Sequence, residues 1–348
     1  MSIYFNTASC GLISEQSADT SVLLYEKFSQ NASEASNDWQ QRYYWSLKSQ
    51  IASFIHCNIN YIAFIPNMSY GINMIIQSLK GNEKILLYEK DFPSLNQPFE
   101  NNHFNITYVK DTNDFEIQLE DIEILLKRNS IDIVAISQVQ FKTGFNLDIL
   151  QLSRLCKQYN TWLIIDGTQS LGALELNFDC NAPDVFIASN YKWMNAGYGT
   201  GILFMNDEFI SQFPPVISGN HSSSLVQEHP DAPINLYEPG HINMHGLAIL
   251  ETELKRKKEI SIEKIEQHNL ELTHYFLENI KELPLGLVGN YNMENRSSIV
   301  SIYNDKNLSS YLSQNGIVIT DRFGLIRFSF HYYNTKDELD QLISILKD

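Results

Sequence analysis

Residues 184–205 read DVFIASNYKWMNAGYGTGILFM. Two apolar, β-prone runs, DVFIAS (Asp184–Ser189) and GTGILFM (Gly199–Met205), flank a loop of small, aromatic and glycine residues. Runs of this kind, without polar alternation, read as strands buried on both faces. One lysine, Lys192, stands in the loop just after the first run. A loop lysine ordinarily reaches into water. Whether this amine is aimed at something depends on what the neighbouring strand ends carry.

The same kind of run recurs upstream: IAFIP (Ile62–Pro66), KILLYE (Lys84–Glu89), NITYVK (Asn105–Lys110), DIVAISQV (Asp132–Val139) and TWLIID (Thr161–Asp166). Helical patterns separate them at Tyr70–Leu79, Leu119–Lys127 and Leu147–Tyr159. Strands alternating with helices in this way predict an α/β fold with a mostly parallel sheet covered on both faces. Beyond about residue 240 the pattern changes. A long helical stretch, Gly246–Leu283, precedes short strands at Ser297–Tyr303, Ile317–Thr320 and Leu325–Phe330 and a last helix over Lys336–Leu346. That tail predicts a small α+β domain. The large domain is placed at residues 14–240 and the small one at residues 1–13 and 241–348, with the boundary at YEPG (Tyr237–Gly240).

Composition narrows the function classes. A chain of 348 residues is too long for one small core. Its formal net charge of −16 argues against a nucleic-acid partner, which needs clustered Lys and Arg. The one basic run, KRKK at Lys255–Lys258, reads as a solvated helix face. Four scattered cysteines (Cys10, Cys57, Cys156 and Cys180) form no CxxC pair and no metal-ligand spacing. His221, His229, His245 and His331 show no such spacing either, so no metal site is expected, and a reducing cytoplasm is the expected compartment. The N-terminal MSIYFNTASCGLIS lacks the pattern of a signal peptide, and no apolar stretch is long enough to span a bilayer. No membrane partner is expected.

Ligands of open parallel sheets bind beyond the carboxyl ends of the strands. After Ile62–Pro66 comes NMSYGIN, where Ser69 suits a helix N-cap and the helix start suits a phosphate. After Lys84–Glu89 comes KDFPS, with Phe92 in the loop. After the third run come Gln138 and Gln140, read on one strand face. IIDGTQS closes the next with Asp166, an acid costly to bury unpaired, followed by Gln169. Lys192 follows the next strand. Pyridoxal 5′-phosphate has a use for this whole ordered set. Its phosphate wants a helix N-terminus, its flat ring an aromatic partner, its pyridine nitrogen a carboxylate and its aldehyde a lysine.

On the segments IIDGTQSLGAL, SNYKWMNAGYGTGILF, YEPGHINMHGLAILETEL and IRFSFHYYNTKDELDQLI, the chain resembles the class V aminotransferase family. These are fold type I pyridoxal-phosphate enzymes that include cysteine desulfurases, kynureninase and isopenicillin N epimerase-like proteins. The resemblance runs from YFNTASCGLIS to the C-terminal helix. It implies that Lys192 forms the Schiff base and that Asp166 partners the pyridinium nitrogen. Gln169 is implied near the ring oxygen and Phe92 as the stacking aromatic. Met68, through its backbone, with Ser69, Ser189 and Tyr191, is implied to contact the phosphate. Gln138 is counted among the cofactor contacts. His241 and Asn243 fall in the segment that reaches the phosphate from the neighbouring subunit of a homodimer, although His241 stands where relatives have Thr. Arg327, in R-x-S-x-x-x-Y-N-T, is implied to bind the substrate's α-carboxylate with its planar guanidinium, with Arg322 as a second candidate.

The resemblance then implies an aminotransferase acting on a small-molecule amino acid or related amine. A lyase or epimerase, kynureninase-like or isopenicillin N epimerase-like, is the alternative, and a non-catalytic binding protein on the same scaffold the third reading. Cysteine desulfurase is set aside, because the run SQNGIVITDRFGLIRF before the carboxylate arginine holds no cysteine. Kynureninase is ranked lower because Leu95 and Gln169 replace an acid and a histidine of that branch. Cys10, in NTASCG, is either a site residue or structural filler.

Overall fold

The apolar runs pair as one sheet, and all but the edge strand Asn105–Val109 bury residues on both faces. The computed structural model describes residues 2–179, 182–304 and 308–347. Seven strands stand in the order Ile62–Ile65, Gly201–Met205, Val185–Ser189, Trp162–Asp166, Ile133–Ser137, Lys84–Tyr88 and Asn105–Val109. Only Gly201–Met205 runs against its neighbours. Alternate residues feed two cores: Leu86, Val134, Ile136 and Ile165 face one, and Ile85, Leu87, Ala135 and Ile164 face the other. This is the mostly parallel α/β architecture expected from the runs. The strands end on one edge, which collects Tyr88, Ser137, Asp166 and Ser189.

Beyond the large sheet, Thr320–Arg322, Leu325–Ser329 and Ile299–Tyr303 form an antiparallel sheet in that order. Ile3–Tyr4 pairs in parallel with Ile317–Val318, so the N-terminal segment joins the C-terminal part of the chain. Phe5, Phe276, Phe328 and Phe330 fill a third core there. The helix expected over Gly246–Leu283 is two, Met244–Ile260 and Ile262–Ile280. They break at Ser261, whose φ is +77° and whose hydroxyl accepts a hydrogen bond from the Lys264 N–H. Two helical segments over Glu15–Trp39, separated by a kink at Asn31 (φ −153°, ψ 89°), pack on Met244–Ile260.

Candidate active site

The lysine loop is held by its own backbone. Asn190 N–H donates to the Thr200 carbonyl at 3.1 Å and Ala196 N–H to the Asn190 carbonyl at 3.1 Å. Gly11 N–H donates to Tyr191 O at 2.8 Å, and a Cβ on Gly11 would lie 1.9 Å from the Lys192 carbonyl oxygen. Only glycine permits that approach. Lys192 is buried, with Nζ 5.5 Å from the Phe92 ring centroid and 5.7 Å from that of Tyr191. Burial, reinforced by the Arg327 charge, pushes its amine well below the usual lysine range, and Asp166 opposes that shift.

Lys192 bounds two connected spaces. The inner one, a slot of about 330 Å³, lies over the strand ends. Asp166 closes it from below, buried, with one carboxylate oxygen accepting from the Thr168 N–H at 2.8 Å. Burial pushes its carboxyl above the ordinary range, against the hydrogen bonds from Thr168 and the Lys192 charge. Gln169 is fixed at both ends: Oε1 accepts from Trp193 Nε1 at 2.7 Å, and Nε2 donates to the Ala8 carbonyl at 3.0 Å. Met68 N–H, in the first turn of the helix Met68–Ser78, donates to Ser189 Oγ at 2.9 Å. Phe92 forms a wall, edge-on to Phe141.

Several expected placements change. Ser69 does not cap that helix. Asn67 does, its side chain accepting from the Tyr70 N–H at 3.0 Å, and Ser69 is half-buried outside the slot lining. Gln138 does not line the slot. The strand phase sets Ser137 and Val139 there, and Gln138 lines a cavity on the opposite side with Asn146 and Leu147. A residue the sequence reading passed over, Asp91, sets Phe92 in place. Its carboxylate accepts from the Phe92 N–H at 2.7 Å, the Ser137 N–H at 2.8 Å and the Ser137 hydroxyl at 2.6 Å. An acid at a strand end beside an aromatic residue was the available signal.

The outer space is an open cleft of about 610 Å³ between the lysine loop and the antiparallel sheet. Arg327 lines it, half-buried, with Nη1 donating to the Phe141 carbonyl at 2.8 Å and Nη2 to Thr320 Oγ1 at 3.4 Å. Its Nε is enclosed, with no hydrogen-bond partner among the described residues. Arg322, Phe323 and Lys142 stand in the same lining.

His241 and Asn243 are exposed and outside both spaces; Asn243 caps Met244–Ile260. His221 lies against the Glu238 carbonyl at 3.1 Å rather than in the cleft. Cys10 is half-buried, its Sγ 3.7 Å from the Gly11 carbonyl, and Cys180 lies outside the described residues. The solvated face expected for KRKK is corrected at Lys257. That side chain is fully buried, donating to Asn195 Oδ1 at 2.9 Å and standing 3.2 Å from His331 Nε2.

The slot therefore joins a lysine amine, a buried carboxylate, an aromatic wall and the first residue of a helix beside Ser189, a set that fits a flat pyridine bearing an aldehyde and a phosphate. The sequence profile of the family Aminotransferase class-V matches residues 3–342. A probable cysteine desulfurase of Pyrococcus abyssi is 23% identical over 333 residues, covering 88% of this chain and 82% of that protein. The apo structure of a cysteine desulfurase from Thermococcus onnurineus NA1 superposes with a TM-score of 0.88 at 20% identity, over 99% of this chain and 94% of that one. The cystine C–S lyase C-DES, in complex with its product cysteine persulfide, gives a TM-score of 0.88 at 18% identity, over 100% and 97% of the two chains.

These likenesses overturn the assignment to an aminotransferase and the exclusion of cysteine desulfurases. The similar proteins are named for carbon–sulfur chemistry over nearly the full chain. A nucleophilic cysteine before Arg327 is needed only where sulfur passes to the protein. Where sulfur leaves with the product, the bond breaks without it.

Proposed function

The chain belongs to the class V aminotransferase family, and from that premise we propose that it is a pyridoxal 5′-phosphate enzyme that breaks the carbon–sulfur bond of a cysteine-class amino acid. One observation carries the reading: Lys192 stands between the inner slot and the outer cleft, with Arg327 across the cleft. When bound, the cofactor withdraws electrons from the substrate's Cα, which acidifies the Cα proton and weakens the bond from Cβ to sulfur.

Within this reading, each residue has a physical task. Lys192 tethers the cofactor through its aldehyde, and its depressed amine then serves as the base for the Cα proton near neutral pH. Asp166 holds the proton on the pyridine nitrogen, and Phe92 packs on the ring. Gln169, locked by Trp193 and Ala8, presents a fixed amide edge to the ring oxygen. Met68, Ser189 and Tyr191, which line the slot, hold the phosphate at the helix start; Ser69, outside the lining, has no part in this reading. His241 and Asn243, exposed on their own chain, complete the phosphate site of a second copy in a homodimer. Arg327 takes the α-carboxylate in two parallel hydrogen bonds and so fixes which Cα bonds face Lys192.

The run from Ser313 to Phe328 carries no cysteine, and among the described residues neither space is lined by one. Sulfur that departs with its own substituent needs no acceptor cysteine there. An S-substituted cysteine and water give a thiol, pyruvate and ammonium. The test is product analysis of the cofactor-loaded protein with L-cysteine, L-cystine and S-alkyl cysteines. Pyruvate and released thiol, sulfide or persulfide are expected. Alanine, with sulfur retained on the protein, would overturn elimination, and no sulfur release from any of them would overturn the lyase reading.

A further inference from the structure

The outer cleft is more cationic than a cysteine needs. Among the described residues its lining contains Lys142, Lys192, Arg322 and Arg327 and no carboxylate, in a chain whose formal net charge is −16. Lys192 and Arg327 have their work in the reading above. Lys142 and Arg322 do not, and neither forms an ion pair within 4.0 Å among the described residues.

These two cations converge on one ring. Lys142 Nζ lies 4.7 Å from the Phe323 ring centroid and 5.6 Å from that of Phe141, and Arg322 Cζ lies 4.7 Å from Phe323. Phe323 forms the tip of the hairpin between Thr320–Arg322 and Leu325–Ser329, at φ +58°, with Gly324 following at +75°. A bulky residue is a poor choice for that left-handed position, where glycine or asparagine is usual. Its ring is nonetheless exposed at the cleft, 6.2 Å from Phe141. Strain of this kind is retained where it holds a functional surface. Lys142 itself is half-buried, and burial, with Lys90 and Arg322 nearby, lowers its affinity for a proton, so an anion beside it is favoured.

Resting on the carbon–sulfur lyase reading, we propose that Lys142 and Arg322, set on Phe323, form a second anion subsite that selects cysteine derivatives whose sulfur substituent ends in a carboxylate or a sulfur oxyanion. The α-carboxylate sits on Arg327 and the distal anion at the mouth of the cleft. With no acid among the described lining residues, a distal ammonium group without a carboxylate beside it meets repulsion there. Specificity is thus set by one attractive and one repulsive term at the same place.

The experiment separates this from the cleavage chemistry by using amino acids without sulfur. L-2-Aminoadipate, L-norleucine and L-lysine share a chain length and end in a carboxylate, a methyl and an ammonium group. Calorimetric titration of the cofactor-loaded protein should rank them in that order, with about tenfold between neighbours at low salt and a spread that narrows as salt rises. In the Arg322→Gln/Lys142→Gln variant the aminoadipate-to-norleucine ratio should fall to about one. Equal binding of aminoadipate and norleucine by the wild type, lysine binding as well as norleucine, or an order that survives the double variant each overturns the subsite. The salt series needs no variant, so misfolding of the variant leaves the test intact. Thiol release from S-carboxymethyl-L-cysteine and S-sulfo-L-cysteine then distinguishes a carboxylate from a sulfur oxyanion. These ratios are read whether or not sulfur is released from cysteine, so loss of the lyase reading is seen separately.

Discussion

Nη1 of Arg327 donates to the carbonyl oxygen of Phe141 at 2.8 Å, so the arginine of the C-terminal sheet is set by a loop of the large sheet. One guanidinium edge is thereby spent on the protein. Nη1 and Nη2 each keep a second N–H, which leaves donors for a planar carboxylate.

Replacing Arg327 by glutamine should lower kcat/KM for L-cysteine cleavage by about 10- to 100-fold, the worth of a charge-assisted pair. The loss should fall mainly on KM. Arg327→Lys should not restore it, because an ammonium cannot supply two parallel donors. Full activity in the lysine variant would show that Arg327 supplies only positive charge.

Arg327 also acts on Lys192. Burial and the Arg327 charge depress the Lys192 amine, so its neutral form appears at lower pH than that of a surface lysine. In cofactor-free protein, acetic anhydride labelling followed by peptide mass spectrometry should show Lys192 reacting with a midpoint below the lysine range. Removing the cation in Arg327→Gln should move that midpoint upward. A midpoint at the ordinary lysine value in the wild type would remove the basis for Lys192 as a base near neutrality.

How much of this was legible follows from particular residues. Asp166 and Lys192 could be found because each ends or follows a long apolar run, and a sheet of parallel strands puts such ends on one edge. Gln138 could not be placed, because the strand ends at Ser137 and a phase error of one residue exchanges the faces. In PNMSY both Asn67 and Ser69 are capping residues, and only the observed bond to Tyr70 N–H decides between them. Lys257 was hidden by its neighbours in KRKK. Yet Leu250, Leu254 and Lys257 recur at helical spacing and all are buried, which was a usable signal. The absent loop cysteine was read correctly as a fact and wrongly as an exclusion.

Phe323 gives a stability prediction. At φ +58° a phenylalanine costs about 1 kcal/mol relative to a residue that tolerates the left-handed region. Phe323→Asn should therefore raise the urea midpoint while weakening the discrimination between aminoadipate and norleucine, since the ring beneath Lys142 and Arg322 is lost. A lower midpoint in this variant would mean that packing on Phe141 outweighs the backbone cost.

Lys257 gives the pH dependence. Burial, against the pull of nearby Glu253 and with the push of Arg256, lowers its amine to about 7. An unfolded chain keeps its lysine near the ordinary value of about 10.4. Between these values the unfolded state binds the extra proton, so this group's contribution to stability rises with pH across that window and is least below it. Lys257→Met removes the titration along with the hydrogen bond to Asn195. The melting temperature of the variant minus that of the wild type should therefore become more positive as pH falls from 9.5 toward 7. The lost hydrogen bond adds only an offset, and His331, held well below its usual range by burial and the Lys257 charge, is neutral throughout. A difference that stays constant over that interval would show that Lys257 keeps its proton in the folded protein, paired within the Asn195 and His331 cluster.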